Sequence, residues 1–176
     1  MRLAAMDVGY GEAGALAAAV VFGAWDDADP VEEHVVAVPE VAPYEPGAFF
    51  RRELPCLLAV WDRLRRVGCV VVDGYVDLGP GRPGLGRHLH EAVGVPVIGV
   101  AKTRFHAAGG VEVTRGGSAR PLVVTAAGVS LEEAARRIGA MHGAHRLPTL
   151  LRRVDALSRG APPVSPTHTA PSPRCT

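Results

Sequence analysis

The chain has almost no lysine: Lys102 is the only one among 19 basic residues. Arginine codon bias explains the skew, and it leaves Lys102 as a candidate for a place that needs a compact, titratable charge instead of a guanidinium fork. Net charge is equally sparse at +1, so no global basic field advertises nucleic acid and any grip on a polyanion has to be local. The three cysteines, Cys56, Cys69 and Cys175, make no CxxC pair and leave one over, which argues against a disulfide framework and suits a reducing cytoplasm. Long apolar runs are missing as well. Residues 1–25 are interrupted by Asp7, Glu12 and several glycines, so they read as neither a signal peptide nor a membrane span, and no export is expected. No internal repeat is present. What remains is 176 residues, 48% of them hydrophobic and 21% charged, enough for one sizeable globular core.

Short apolar runs dominate the pattern. Leu3–Val8, Leu16–Trp25 and Val31–Val38 read as three strands of an antiparallel meander, with Gly9 to Gly14 as a glycine-rich turn. Residues 39–47 carry three prolines and form a loop. Leu54, Leu57, Leu58, Trp61, Leu64 and Val67 then recur at helical spacing, with Arg63, Arg65 and Arg66 near the helix end. Pro55 suits only a first turn, which places the helix start near Leu54 and Glu53 at its mouth. Cys69 to Val72 is a buried strand ending in Asp73-Gly74, and Val95–Val100 is another, ending in Ala101-Lys102. Leu85–Val93 between them reads as a short helix, completing a βαβ unit that delivers Asp73 and Lys102 to one sheet edge. Two short strands are expected around Arg115 to Ser118, then a helix capped by Ser130 with Glu133 at the third position, then a last helix over 148–157. The domain is expected to span 1–159, followed over 160–176 by a disordered tail rich in Pro, Ser and Thr.

Three acids stand out. Asp7 lies inside an apolar strand, where an isolated carboxylate is costly. Asp73 ends a buried strand, although Asp-Gly is also an ordinary turn pair. Glu53 sits at a helix entrance, where dipole chemistry alone could account for it. A meander, a helix and two parallel strands suggest an α/β fold with a ribonuclease H-like mixed sheet, in which the first and fourth strands are neighbours. Asp7 and Asp73 would then repel each other unless a divalent cation lay between them. Oxygen ligands without histidine or thiolate point to Mg²⁺ or Mn²⁺, and the matching chemistry is metal-assisted phosphodiester hydrolysis.

The chain resembles the endonuclease V family, nucleases of ribonuclease H-like fold directed at inosine. The resemblance runs through Met6 to Tyr10, Pro43 to Glu53, Val72-Asp73-Gly74, Pro96 to Lys102 and Arg146-Leu147-Pro148. It implies Asp7, Glu53 and Asp73 as the acidic catalytic and metal-binding centre, and Lys102 as the lysine that holds the scissile phosphate or the attacking water. It also implies Tyr44, Pro46 and Gly47 as a wedge in the opened strand, and Gly74, Gly84, Leu85 and Gly99 as a pocket for the displaced hypoxanthine, with His88 nearby. The partner is then DNA or RNA and the protein a monomer, with no membrane.

The chain departs from the family pattern at recognisable places. Tyr75 and Val76 replace a small polar residue and a glycine, and their side chains are expected to compete for the base pocket. Gly79-Pro80-Gly81 replaces His-Pro-Arg, Ala126-Ala127-Gly128 replaces Gly-His-Arg, and Glu45 replaces an apolar wedge residue. The chain also starts near its first strand, without the helical segment that usually precedes it. Two functions follow. One is a divalent-metal-dependent endonuclease acting on inosine-containing DNA or RNA and leaving a 3′-hydroxyl; the other is a catalytically weak homologue serving as a nucleic-acid or protein-binding module.

Overall fold

A computed structural model describes residues 1–164; positions 165–176, which hold Cys175 and most of the expected tail, lie outside the described residues. Strands β1 (Arg2–Gly11), β2 (Gly14–Phe22) and β3 (Glu32–Val38) form the expected antiparallel meander. Helix α1 (Phe49–Trp61) leads to β4 (Val67–Asp73), and α2 (Leu85–Val93) leads to β5 (Val97–Ala101). After β6 (Val111–Val113) and β7 (Leu122–Ala127) the chain ends in α3 (Leu131–Ala140) and α4 (Thr149–Ser158). All strands join one mixed sheet in the order β3-β2-β1-β4-β5-β7-β6, with β4 parallel to both β1 and β5.

Period-two alternation sorts the core onto two faces. Leu3, Ala5, Cys69 and Val71 join the side covered by α3 and α4, through Ile138, Leu150, Val154 and Leu157. Ala4, Met6, Val70 and Val72 join the side covered by α1 and α2, through Cys56, Leu57, Val60 and Leu89. Strands β4 and β5 are buried on both faces, which is why they read as unbroken apolar runs. No helix among the described residues is long and apolar enough to cross a membrane.

Three local expectations are corrected. Strand β1 runs through Gly9, Tyr10 and Gly11, pairing with Leu16, Ala15 and Gly14, so the turn shrinks to Glu12-Ala13. Gly9 is needed there because a Cβ would lie 2.0 Å from the Ser158 carbonyl oxygen, and its absence lets the end of α4 rest on β1. Helix α1 starts at Phe49, more than a turn early, and carries Pro55 in its interior, so Glu53 lies within the helix and not at its mouth. The lost backbone hydrogen bond is tolerated because Cys56, Leu57 and Val60 bury the same helix against the sheet. Arg63, Arg65 and Arg66 fall after the helix; the Arg65 guanidinium donates to the Asp62 and Leu64 carbonyls, and Arg66 takes a left-handed φ of 56°.

Ser130 caps α3 as expected, its hydroxyl accepting from the Glu133 amide at 3.2 Å. The Glu133 carboxylate turns instead to Arg136 and Arg137, so the reciprocal half of the capping box is replaced by ion pairs. Beyond α4, the Val164 amide donates to Glu33, whose carboxylate also accepts both guanidinium nitrogens of Arg153.

Candidate active site

The parallel register ends at Met6 opposite Val72, so the next residues, Asp7 and Asp73, stand side by side where β1 and β4 leave the sheet. Both continue the parity that faces α4. Ser158 on that helix donates its hydroxyl to Asp7 at 2.7 Å. Lys102, one residue past β5, donates to Asp73 at 2.7 Å and lies 3.8 Å from a fourth acid, Asp155 of α4. Asp7, Asp73, Lys102, Asp155 and Ser158 line one cleft of about 960 Å³ together with Tyr10 and Arg159.

Sequence pattern alone does not single out Asp155. Its signal lies in helical spacing: it stands four residues after Leu151 and three before Ser158, both buried, and so borders the sheet-facing stripe of α4.

The electrostatics show a site short of positive charge. Burial holds the Asp7 carboxyl above its ordinary range; the Ser158 hydrogen bond offsets part of this, while the Asp73 and Asp155 charges add to it. Glu53, only 6% exposed, is pushed up to about 8 by burial first and then by Asp7 and Asp73. Tyr10 is raised by burial and by Glu53, and its hydroxyl is buried without a hydrogen-bond partner while the Arg52 guanidinium lies 4.0 Å over its ring. For Lys102, burial works downward but is outweighed by the hydrogen bond and charge of Asp73, so its ammonium is held above the usual lysine range.

A second cleft, about 370 Å³, opens from Glu53 and Asp73 toward the loop after β4. Gly74, Gly84 and Leu85, which the resemblance assigns to the base pocket, line it, joined by Gly47 of the wedge loop and by Phe49, Phe50, Tyr75, Leu78, Arg82 and Phe105. Gly99 does not line it. A Cβ there would meet the Gly74 carbonyl and the Thr125 hydroxyl at 2.6 Å, so Gly99 serves to let the loop lie flat on β5.

Val76 and Tyr75 do not close the cleft. Val76 is 1% exposed, turned into the protein, with its amide bonded to the Thr125 hydroxyl at 2.9 Å. Tyr75 stands in the cleft wall. His88 is set behind it, stacked on Phe50 at 3.9 Å between centroids, with a buried Nε2 that has no partner. Tyr44 is 62% exposed and contacts Phe49 edge to face; Pro46 is exposed beside it, and Glu45 pairs loosely with Arg51 at 3.4 Å.

Among the described residues no three His, Cys, Asp or Glu side chains are set to hold a metal ion. Asp73 is engaged by Lys102 and Asp7 by Ser158, so the acids share an edge without converging on one point. The donor set still fits a hard divalent cation: it is all oxygen, and Asp7 and Glu53 are held above their ordinary range partly by neighbouring acids.

A seven-stranded mixed sheet with carboxylates and a lysine at the exit of its central strands defines a protein of ribonuclease H-like fold. Residues 1–136 match the family model for Endonuclease V, and the chain belongs to that family. It is similar to Endonuclease V of Xylella fastidiosa, 42% identical over 106 residues that make up 58% of this chain and 44% of that protein. The chain thus matches less than half the length of that relative. A solved Endonuclease V from Streptomyces avermitilis is 34% identical, with a TM-score of 0.75 over 90% of this chain and 80% of the other. A Ciona intestinalis Endonuclease V, solved in complex with a 24mer DNA containing an inosine followed by a ribo-adenosine, shares the fold at a TM-score of 0.72 and 18% identity over 90% of this chain and 84% of the other.

Proposed function

We propose that this protein is a divalent-metal-dependent endonuclease that hydrolyses phosphodiester bonds in inosine-containing DNA or RNA. The observation that carries the reading is the crowding of Asp7, Asp73 and Asp155 around Lys102 at one sheet edge, with Glu53 near enough to Asp7 and Asp73 to feel their charge and with Asp7 and Glu53 both held above their ordinary range. Family membership and the inosine-containing DNA bound by the Ciona relative support the substrate class.

In this reading Asp7 and Asp73 are the principal ligands for Mg²⁺ or Mn²⁺, with Glu53 and Asp155 completing the acidic ring. A bound divalent cation supplies the charge that offsets the negative charge developing on the phosphate and the leaving oxygen. Lys102 presents its ammonium to a non-bridging phosphate oxygen from the rim of the larger cleft. Ser158 holds the Asp7 carboxylate in one orientation. Glu53, held above its ordinary range by burial and by Asp7 and Asp73, would stand beside the cation and, in its ionised form, accept a hydrogen bond from the attacking water. Tyr44, Pro46 and Gly47 act as the wedge, and the 370 Å³ cleft takes the displaced base.

The test is cleavage of matched inosine and guanosine strands, in DNA and RNA, with Mg²⁺, with Mn²⁺ and with chelator. Cation-dependent product from the inosine strands, lost in Asp7→Asn and Asp73→Asn, is expected. The Asp73–Lys102 pair and the unconverged acids favour a second reading, a binding module without catalysis. Tight binding of an inosine strand with no product under any cation would select that reading.

A further inference from the structure

Tyr75 makes two hydrogen bonds that no neighbouring side chain duplicates. Its hydroxyl donates to the Thr103 carbonyl at 2.6 Å and accepts from the Phe105 amide at 2.8 Å. The two rings meet edge to face with centroids 6.4 Å apart, and both line the 370 Å³ cleft. The hairpin that carries Tyr75 is held by other means. Gly84 and Arg87 donate their amides to the Val76 carbonyl, and Asp77 takes a bidentate pair from Arg87 at 3.1 and 2.6 Å. The phenol is therefore free to act on the segment that follows Lys102.

Elsewhere that segment is tied by the Arg104–Glu112 ion pair at 2.6 Å and by the Ala108 amide, which donates to the Phe105 carbonyl at 3.0 Å. The Lys102 carbonyl accepts from the Arg146 guanidinium, which also donates to Pro121 at 2.9 Å, and the next carbonyl, of Thr103, is the one Tyr75 holds. Meanwhile the Lys102 ammonium reaches Asp73, two residues before Tyr75, at 2.7 Å. The two stretches form a closed ring: Asp73-Gly74-Tyr75 on one side, Lys102-Thr103 on the other, joined at both ends, with the Gly74 amide bonded to the Val100 carbonyl at 2.9 Å.

We propose that Tyr75 is a positioning residue that fixes Lys102 at the reaction centre and Phe105 in the cleft wall, and that Tyr75 and Phe105 form an aromatic corner on which an extruded nucleobase stacks. The proposal rests on the nuclease reading of the site. A phenol suits the task because one oxygen both donates and accepts, and a flat ring offers a face to any base. Phe105, 41% exposed, has the open surface such stacking needs.

Three variants test it on the full chain. Tyr75→Phe keeps the ring and removes the oxygen; kcat on the inosine strand is expected to fall about tenfold with KM within about twofold, since misplacement of a catalytic group affects the chemical step. Phe105→Ala is expected to raise KM about tenfold while kcat stays within about twofold, the effect of a lost stacking partner. Tyr75→Ala should show both changes. Amide hydrogen exchange of the protein alone gives a readout independent of cleavage. The Phe105 amide should exchange at least about tenfold faster in Tyr75→Phe, having lost its acceptor. If the unmodified protein cuts no strand while that acceleration is seen, the nuclease reading fails and the latch stands. An unchanged Phe105 exchange rate overturns the latch, and kcat and KM unchanged in both Tyr75→Phe and Phe105→Ala overturn its role in the reaction.

Discussion

Two regions meet at Asp73 and are built on opposite principles. On one side the acidic edge of β1, β4 and α4 is left short of counter-charge: Asp7 and Glu53 are both raised by burial and by neighbouring acids. On the other side the hairpin over 75–84 is satisfied many times over, with the Tyr75 hydroxyl, the Val76 amide and carbonyl and the Asp77 carboxylate all bonded. The first region holds electrostatic strain that a cation would relieve, and the second fixes a wall beside it. Crowded like charges thus raise one side of Asp73 in energy, and completed hydrogen bonds hold the other in place.

The contrast can be broken at several points. Removing charge from the acidic edge should have the largest effect: Asp7→Asn or Asp73→Asn is expected to lower cation-dependent cleavage by about 10³-fold or more, roughly 4 kcal/mol of transition-state stabilisation, read as kcat/KM. Next is the floor of the hairpin. Gly99→Ala puts a Cβ 2.6 Å from the Gly74 carbonyl and the Thr125 hydroxyl. Chemical denaturation should show a loss of about 2–3 kcal/mol, because overpacking here meets backbone that cannot yield.

Glu53→Gln is expected to stabilise the protein at high pH. Folded Glu53 keeps its proton until about 8, whereas an unfolded chain releases it near the ordinary 4.5. The folded state therefore binds more protons between these values, and stability falls as pH rises through that window and levels off above it. Without added cation, Glu53→Gln should raise Tm at pH 8.5 by about 4–8 °C, roughly 2 kcal/mol, and leave it nearly unchanged at pH 4. The smallest effect belongs to the hairpin's outer tie. Arg87 and Asp77 are both well exposed at 32% and 41% of their side-chain surface, so Arg87→Ala should cost less than about 1 kcal/mol in denaturation and shrink further in salt.

Much of this arrangement was legible in the sequence. Asp7, Asp73 and Lys102 stood out because each interrupts or ends an apolar strand, and period-two alternation tells which face such a residue takes. The meander, the βαβ unit and the Ser130 cap follow from equally local rules. Glu53 was recognised, but its place in the helix was not. In the sequence Pro55 reads as a first-turn proline, whereas burial of Cys56, Leu57 and Val60 sustains the helix through it. Gly9 was read as part of a turn because its requirement comes from Ser158, 149 positions away in the chain and in contact only after folding. Asp155 was missed for a related reason: on an amphipathic helix an acid beside the apolar stripe looks like any solvent-facing acid until the helix is placed on the sheet. From their bulk Tyr75 and Val76 are expected to compete for the base pocket; Tyr75 does stand in the cleft wall, whereas Val76 is buried in the protein.

A calorimetric titration with Mn²⁺ at pH 8 decides whether the acidic edge takes a cation. Saturable binding is expected in the unmodified protein, at least about tenfold weaker in Asp7→Asn and in Asp73→Asn, and unchanged in Arg87→Ala. No measurable binding, or the same affinity in all four proteins, would contradict it.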